Sequence, residues 1–474
     1  MFKGNSKIFL IILLSFLASV TLSYYYINLY DSYQIDQITN IMLKEETYYH
    51  WFGAAKIIKQ LNDGVSFFIA GEELFTKPLP SRIVTLYSLI TNYEIIDNWT
   101  NYRIALGGKI NFLICQAVFY YFSIYIFYSQ ISKLFSKTAV SFTIIFLCIE
   151  PTLFQYHSSF WTESIYLSIQ ILILSMMLNN NQGNMKFFIL GILLGLLFLQ
   201  RSAGIFYIII VSFYYFFTVK EKMINKFVIL FIFFLTICVA IGIHNIKRAG
   251  IFYVMPTEGR YALYKYFAKD ILQKSSLHSA SEINQIETDK ALVWINDNIP
   301  NLDYLNNLTD LSPLEVGMRI KDEKKRMKYY KYLNSRAYYI LLENPILTIK
   351  HVINGMIHFS VLDPYFVYYD YEYFKDYGSH IIGDFVNSEK HKELIPIRII
   401  YTLVVFIVSF FGVVVCLKNN IKVALLLLSS ILYYYCIVGW YGVTRLFAPN
   451  LIFISIFFGI GLEIIINNIK NKYQ

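Results

Sequence analysis

Long apolar runs, broken by short lysine-bearing gaps and two long polar insertions, set the pattern of this chain. Ten runs stand out, at 8–30, 107–129, 138–150, 163–179, 186–200, 203–219, 226–245, 396–417, 422–441 and 446–463. Most approach the roughly 20 residues that an α-helix needs to cross a bilayer. The pattern therefore predicts about ten transmembrane helices. The third run is short and reads as a core helix or a tilted span. Only Arg201 and Ser202 part the fifth run from the sixth, which predicts a tight helical hairpin. The first run follows Lys3 and Lys7, as in a signal peptide. It is too long for a typical signal core and lacks a small-residue cleavage site, so it reads as a retained anchor.

Charge adds sidedness. Alternate gaps hold Lys3, Lys7, Lys133, Lys137, Lys186, Lys220, Lys222, Lys226, Lys418, Lys422, Lys470 and Lys472 against only Glu221 and Glu463. The other side keeps 29 of the 41 basic and 30 of the 32 acidic residues. That is the positive-inside pattern, with both termini cytoplasmic. The net charge of +9 is thus a topology signal. The long outer segments are 31–106 and 246–395. Within them 41–62, 314–343 and 340–359 show helical spacing, and Tyr48, Phe52, Ala55, Ile58 and Leu61 share one face. The cluster Lys324, Lys325, Arg326, Lys328 and Lys331 beside Tyr329 and Tyr330 predicts a helix lying on the membrane surface.

Composition agrees. Of 474 residues 56% are hydrophobic and 15% charged, with a mean hydropathy of +0.48. Soluble domains average about 25% charged. These values exclude a soluble enzyme, a disordered chain and a nucleic-acid binder. All five cysteines (Cys115, Cys148, Cys238, Cys416 and Cys436) fall inside apolar runs, and no CxxC, GxGxxG, Walker A or HExxH motif occurs.

The unusual polar residues gather at outer junctions. EETYYHWFGAA at 45–55 sets Glu45 and Glu46 before Tyr48 and Tyr49. Carboxylates at a helix start suit the macrodipole, and at a membrane face they are also placed for general-base work. LFTKPLPSR at 74–82 sets Lys77 and Arg82 around two prolines, which predict an extended loop. Such cations either hold a phosphate or face water. EPTLFQYHSSFWTES at 150–164 carries Glu150, His157 and Glu163. A carboxylate at the depth of Glu163 is costly unless paired or functional. The plainer reading is a helix start capped by Thr162. Arg201, in LQRSAG, is either a phosphate clamp or a side chain snorkelling to the interface. Arg445, in GWYGVTRLFAPN, has the same two readings. His244, His278, His351, His358, His380 and His391 show no ligand spacing.

In this order the stretches resemble the GT-C glycosyltransferases, in the branch of protein O-mannosyltransferases and the lipid A aminoarabinose transferase. That branch opens its first outer loop with DEAYYxxxA, here EETYYHWFGAA. A proline-rich stretch follows as TKPLPSR, a P…TE motif as EPTLFQYHSSFWTE, and a GLLxGLxxLxRxxG pattern as GILLGLLFLQRSAG. NIKRAGIFYVMPTEGRYAL, AYYILLENP and TRLFAPN match later patterns, so the likeness spans roughly 8–465. It departs at Glu45, where Asp is usual, and at Leu446, where an aromatic is usual. Region 265–335 matches none of the motifs and is the expected seat of acceptor choice.

The resemblance implies an all-α polytopic membrane protein, a GT-C-like bundle of about ten transmembrane helices with outer-face helical loops. Its parts would be an N-terminal module 1–245 of about seven spans that includes loop 31–106, an outer helical region 246–395, and a C-terminal module 396–474 of about three spans. It implies inverting transfer of a sugar from a polyprenyl-phosphate donor to an extracytoplasmic hydroxyl of a glycan, lipid or protein, at a bacterial inner membrane. By carry-over Glu45 or Glu46 is the base, and Glu163 orients the acceptor or shares a metal. Tyr48, Tyr49 and His157 line the acceptor and sugar. Lys77, Arg82, Arg201, Arg248 and Arg445 neutralise the leaving phosphate. Some relatives use a divalent ion such as Mg or Mn, for which Glu46 and Glu163 are the candidate ligands. Two other readings stand beside it. An O-antigen-type polymerase or ligase would rely on arginines of the long outer loop. A flippase or transporter would need ionisable groups or broken helices at mid-bilayer, and most runs lack charges at their centres.

Overall fold

Apolar runs fold here as helices whose ends are set by local chemistry. The computed structural model describes residues 6–32, 47–67, 70, 78–91, 106–157, 162–181, 183–219, 222–254, 258–276, 279–300, 302, 311–361, 389–439 and 444–473. Helix α1 (Ser6–Ser32) is followed by two short helices, α2 (Thr47–Asn62) and α3 (Pro78–Thr91). Next come α4 (Leu106–Ile131), α5 (Lys137–Ile149) and the short α6 (Pro151–His157). Helices α7 (Glu163–Leu178) and α8 (Asn184–Gln200) lead through a 3-10 turn at Ser202–Gly204 into α9 (Tyr207–Thr218) and α10 (Met223–Ala249). Ser136 starts α5 by accepting from the Ala139 amide, and α10 stops at Gly250, whose φ of 69° suits glycine.

The long insertion is helical too. It holds α11 (Glu258–Leu263), a π-helical turn at Tyr264–Ala268, α12 (Lys269–Ser275), α13 (Ala280–Asn298), α14 (Pro313–Arg319), α15 (Glu323–Glu343) and α16 (Pro345–Ser360). Capping boxes at Ser279 with Glu282 and at Ser312 with Glu315 start α13 and α14. The chain then returns through α17 (Glu389–Asn419) and α18 (Ile421–Val438), a 3-10 turn at Thr444–Phe447, and α19 (Ala448–Tyr473).

Six of these helices are long and apolar enough to cross a membrane: α1, α4, α10, α17, α18 and α19. Four shorter apolar segments, Lys137–Ile149, Glu163–Leu178, Asn184–Gln200 and Ser202–Thr218, complete the set. The protein is therefore a multi-pass, all-α membrane bundle. The ten expected runs all recur as apolar helices, six of them of spanning length. Helix α19 is the most enclosed of the six and packs on α5, α7, α17 and α18. Glycine permits the closest crossings. A Cβ on Gly191 would lie 2.6 Å from the Leu230 carbonyl oxygen, so α8 and α10 meet backbone to backbone. Small residues at such crossings let membrane helices gain packing where lipid offers no hydrophobic drive.

The hairpin expected at Arg201 and Ser202 forms, but its arms find separate partners. Helix α8 packs on α10 and α9 packs on α18. The arms touch through the rings of Phe187 and Tyr215, 4.9 Å apart.

The long insertion has its own core, built from Phe267, Ile271, Ala291, Ile295, Val316, Tyr329, Tyr330, Leu333, Ala337 and Ile340. Three expectations are corrected here. First, the stretch 314–343 is two helices, broken between Arg319 and Glu323 where Asp322 caps the second. Second, 340–359 is not one helix, because Pro345 cannot continue α15 and instead opens α16. Third, Tyr329 and Tyr330, expected beside the basic cluster on a membrane-surface face of α15, are buried inside this core. The exposed apolar stripe lies on α16, at Ile346, Ile349, Ile353 and Ile357.

Candidate active site

The two ends of the bundle differ. Helix α7 starts at Glu163, and its neighbour α8 ends at Gln200, so these residues share one end. Lys186, at the start of α8, lies at the other. Fifteen residues of helix separate Lys186 from Arg201, about 22 Å at 1.5 Å per residue.

At the first end, Arg201 Nη1 donates to Glu163 Oε1 at 2.6 Å, and both side chains are buried. Gln200 Nε2 donates to the Thr162 carbonyl at 2.9 Å, which doubles the link between the two helix ends. Arg201 also lies over the Tyr166 ring, 6.0 Å from its centroid. Beneath it sits a buried tyrosine cluster. Tyr166 and Tyr434 share a hydroxyl bond of 2.6 Å, Tyr207 bonds Ser430 at 3.0 Å, and Tyr433 donates to the Ala203 carbonyl.

Two sequence readings change here. Arg201 is not a snorkelling side chain, because its head is buried against Glu163 rather than in water. Thr162 occupies the N-cap position, but its side chain makes no cap bond and donates instead to Glu163 Oε2 at 3.3 Å. The backbone at Thr162 is already helical, so its hydroxyl is not aimed at the first-turn amides.

Glu150 is the second buried carboxylate at this end. Its Oε1 accepts from Thr152 Oγ1 at 2.9 Å and from the Tyr401 hydroxyl at 3.0 Å. Its Oε2 accepts from the Leu153 amide at 2.8 Å. The sequence marks Glu150 only as part of its motif and gives it no role. A carboxylate just before proline at the end of an apolar run was the signal. Its bond to α17, 251 residues away, was not.

The other expected site residues are placed as follows. Arg82 sits in α3, where its Nη2 donates to the Ala70 carbonyl at 3.3 Å. The extended loop expected at 74–82 is not what forms from Pro78 onward. Pro78 and Pro80 occupy the first turn of α3, where missing amide donors cost nothing. Tyr48 and Tyr49 fall in the first turn of α2, His157 ends α6, Arg248 lies in the last turn of α10, and Arg445 lies in the 3-10 turn before α19. Their side chains lie outside the described residues. Glu45, Glu46 and Lys77 lie outside them altogether.

A divalent ion needs several oxygen or nitrogen ligands. Among the described residues no group of three or more His, Cys, Asp or Glu could hold one. Both Glu163 oxygens already face donors, one of them cationic. The described residues alone do not offer a metal's donor set, and Glu46, the other candidate ligand, lies outside them.

No protein-family model matches the chain, and no curated protein matches it by sequence. Solved structures do match by fold. The oligosaccharyltransferase AglB from Archaeoglobus fulgidus, in complex with an inhibitory peptide and a dolichol-phosphate, superposes with a TM-score of 0.50 at 12% identity. The match covers 99% of this chain and 51% of that one, so the chain spans about half the length of the archaeal enzyme. The apo form of the A. fulgidus enzyme gives a TM-score of 0.48 at 12% identity, over 99% of this chain and 51% of that one. The shared feature is the fold, a multi-spanning helical bundle as the GT-C resemblance implies.

Proposed function

We propose that the protein is a membrane glycosyltransferase that takes a sugar from a polyprenyl-phosphate donor and passes it to an extracytoplasmic hydroxyl. The observation that carries this reading is the gathering of Glu150, Glu163 and Arg201 at one end of a bundle with the fold of an oligosaccharyltransferase. The donor's isoprenoid tail belongs in lipid and its phosphate at the interface, so catalytic polar groups belong at a helix end. The Glu163 bond through Nη1 fixes the Arg201 guanidinium at the helix end. Held in this way it is a preorganised cation for a leaving phosphate. Arg248 and Arg445, placed at helix ends, and Lys77 complete the cationic set in this reading. Arg82, held by a bond from Nη2 to the Ala70 carbonyl, belongs to the same set.

The carboxylate pair Glu45 and Glu46, just before α2, supplies the base. General-base assistance is worth roughly 10²–10⁴-fold. The O-mannosyltransferase-like branch is supported by the ordered motifs, and the division into modules 1–245, 246–395 and 396–474 by the separate core of the outer helices. The lysine-rich end is cytoplasmic and the Glu163 end faces outward, as the charge bias requires.

The test is the lipid-linked sugar profile of cells lacking the chain. One polyprenyl-phosphate sugar should accumulate, and the wild-type chain should clear it. Glu45→Gln and Glu46→Gln, each expressed at normal level, should separate the base from its neighbour. An unchanged profile on deletion, or full clearance by both variants, refutes the assignment.

A further inference from the structure

The end of the bundle away from Glu163 holds a cavity of about 230 Å³. At about 30 Å³ per liquid water, it has room for several waters or one phosphate with a small substituent. Its wall brings together the ends of α7, α8, α9 and α18, with Asn179, Asn180, Lys186, Thr218, Asn420 and Lys422 among the polar lining. Among the described lining residues none is acidic.

The lysines here are unlike the rest of the basic fringe. Lys186 is 7% exposed, and so is Lys226 in the first turn of α10. A snorkelling lysine sends its ammonium to water, whereas these two lie over one pair of touching rings. Lys186 Nζ lies 5.0 Å from the Tyr215 centroid and Lys226 Nζ 5.9 Å from that of Phe187. Lys186 also donates to the Asn179 carbonyl at 2.6 Å, which closes the C-terminal end of α7. That bond uses one of three ammonium donors. Helix capping explains Lys186 alone. It does not explain a second buried lysine on the same ring pair and a third, Lys422, at the rim of the cavity.

We infer that this cavity is a binding site for a phosphate group, held by Lys186 and Lys422 with help from the lining amides and the Thr218 hydroxyl. Lys226, over the Phe187 ring and outside the lining, adds positive potential nearby. The site is about 22 Å of helix from Arg201, too far to be part of the transfer site. Its phosphate belongs either to an anionic phospholipid headgroup or to a soluble phosphate compound, and the two can be told apart.

The test uses the full chain in neutral detergent, with thermal melting as the readout. Inorganic phosphate is added in one arm, short-chain phosphatidylglycerol in a second and short-chain phosphatidylcholine in a third. A rise in melting temperature with phosphatidylglycerol only assigns a lipid headgroup, and a rise with inorganic phosphate assigns a soluble ligand. Lys186→Gln removes a buried charged hydrogen bond and should weaken the response roughly tenfold in concentration. Lys422→Gln should weaken it roughly threefold, as expected of an exposed charge. Lys422 is exposed and its replacement leaves the core intact, so it decides the matter if Lys186→Gln does not fold. Lys422→Arg should restore the wild-type response. The proposal is overturned if neither anion shifts the melting temperature, if phosphatidylcholine does so equally, or if Lys422→Gln responds as the wild type does.

Discussion

Replacing Arg201 by methionine leaves the Glu163 carboxylate in the bundle with the Thr162 hydroxyl, at 3.3 Å, in place of a cation at 2.6 Å. The Glu163 side chain is 1% exposed, so water does little to compensate. Breaking a buried pair from one side typically costs about 3–5 kcal/mol. The lower end fits here, because the pair sits at a helix end and unfolded helices in detergent find other partners. Glu163→Gln should cost a similar amount by stranding the guanidinium. The double variant Glu163→Gln with Arg201→Met removes both charges and should recover about 2 kcal/mol relative to the sum of the singles. The assay is unfolding in graded denaturing detergent, followed by tryptophan fluorescence. Single variants within about 0.5 kcal/mol of the wild type, or a strictly additive double variant, would refute a buried, coupled pair. Activity adds a second axis. If Arg201 also faces the donor phosphate, the double variant turns over lipid donor poorly even at temperatures where it remains folded.

Three further outcomes follow from the packing. Burial alone would raise the Glu287 carboxyl, but bonds from Arg336 and Lys290 hold it below its ordinary value. Its stabilisation is therefore full above the unfolded value of about 4.3 and is lost as pH falls through the lower folded value. Glu287→Gln should lower stability by about 2 kcal/mol near neutral pH, and acid should then cost the variant less than the wild type in pH-dependent melting. Glu150→Ala strands the Leu153 amide and the Tyr401 hydroxyl and should cost about 2–3 kcal/mol, whereas Glu150→Gln keeps an acceptor and should cost less than half of that, measured in the same detergent titration. Gly191→Val drives a side chain against the Leu230 carbonyl and should destabilise by about 1–3 kcal/mol, read as a lower melting temperature.

The sequence made the membrane helices legible because apolar length is a one-dimensional signal. The runs at 107–129 and 138–150 differ from α4 and α5 by a residue or two. Caps were harder. Thr162 has the right residue type and the right position but not the backbone angles, and those depend on how α6 turns into α7. Pro78 and Pro80 suggested a loop, although proline in a first turn is equally compatible with a helix. The Glu163–Arg201 pair was half legible. Each residue stood out as costly at its depth, but their meeting depends on α7 and α8 running antiparallel with matched ends. Glu150 with Tyr401, and Lys186 with Lys226, depend on tertiary neighbours that spacing does not encode.

The separation of α8 from α9 bears on the order in which the bundle is assembled. Helix α9 leaves the ribosome directly behind α8, but its packing partner α18 begins only at Ile421. At 5–20 residues per second the wait is about 10–40 s. During that time Tyr207, buried in the finished bundle, lacks Ser430, Tyr433 and Tyr434, the α18 residues it meets there. The central α19 comes later still, after every helix it packs upon. Biogenesis of this protein therefore contains a long-lived half-bundle with the Tyr207 hydroxyl still without its α18 partner Ser430. That is the stage at which a membrane insertase or quality-control protease would find it.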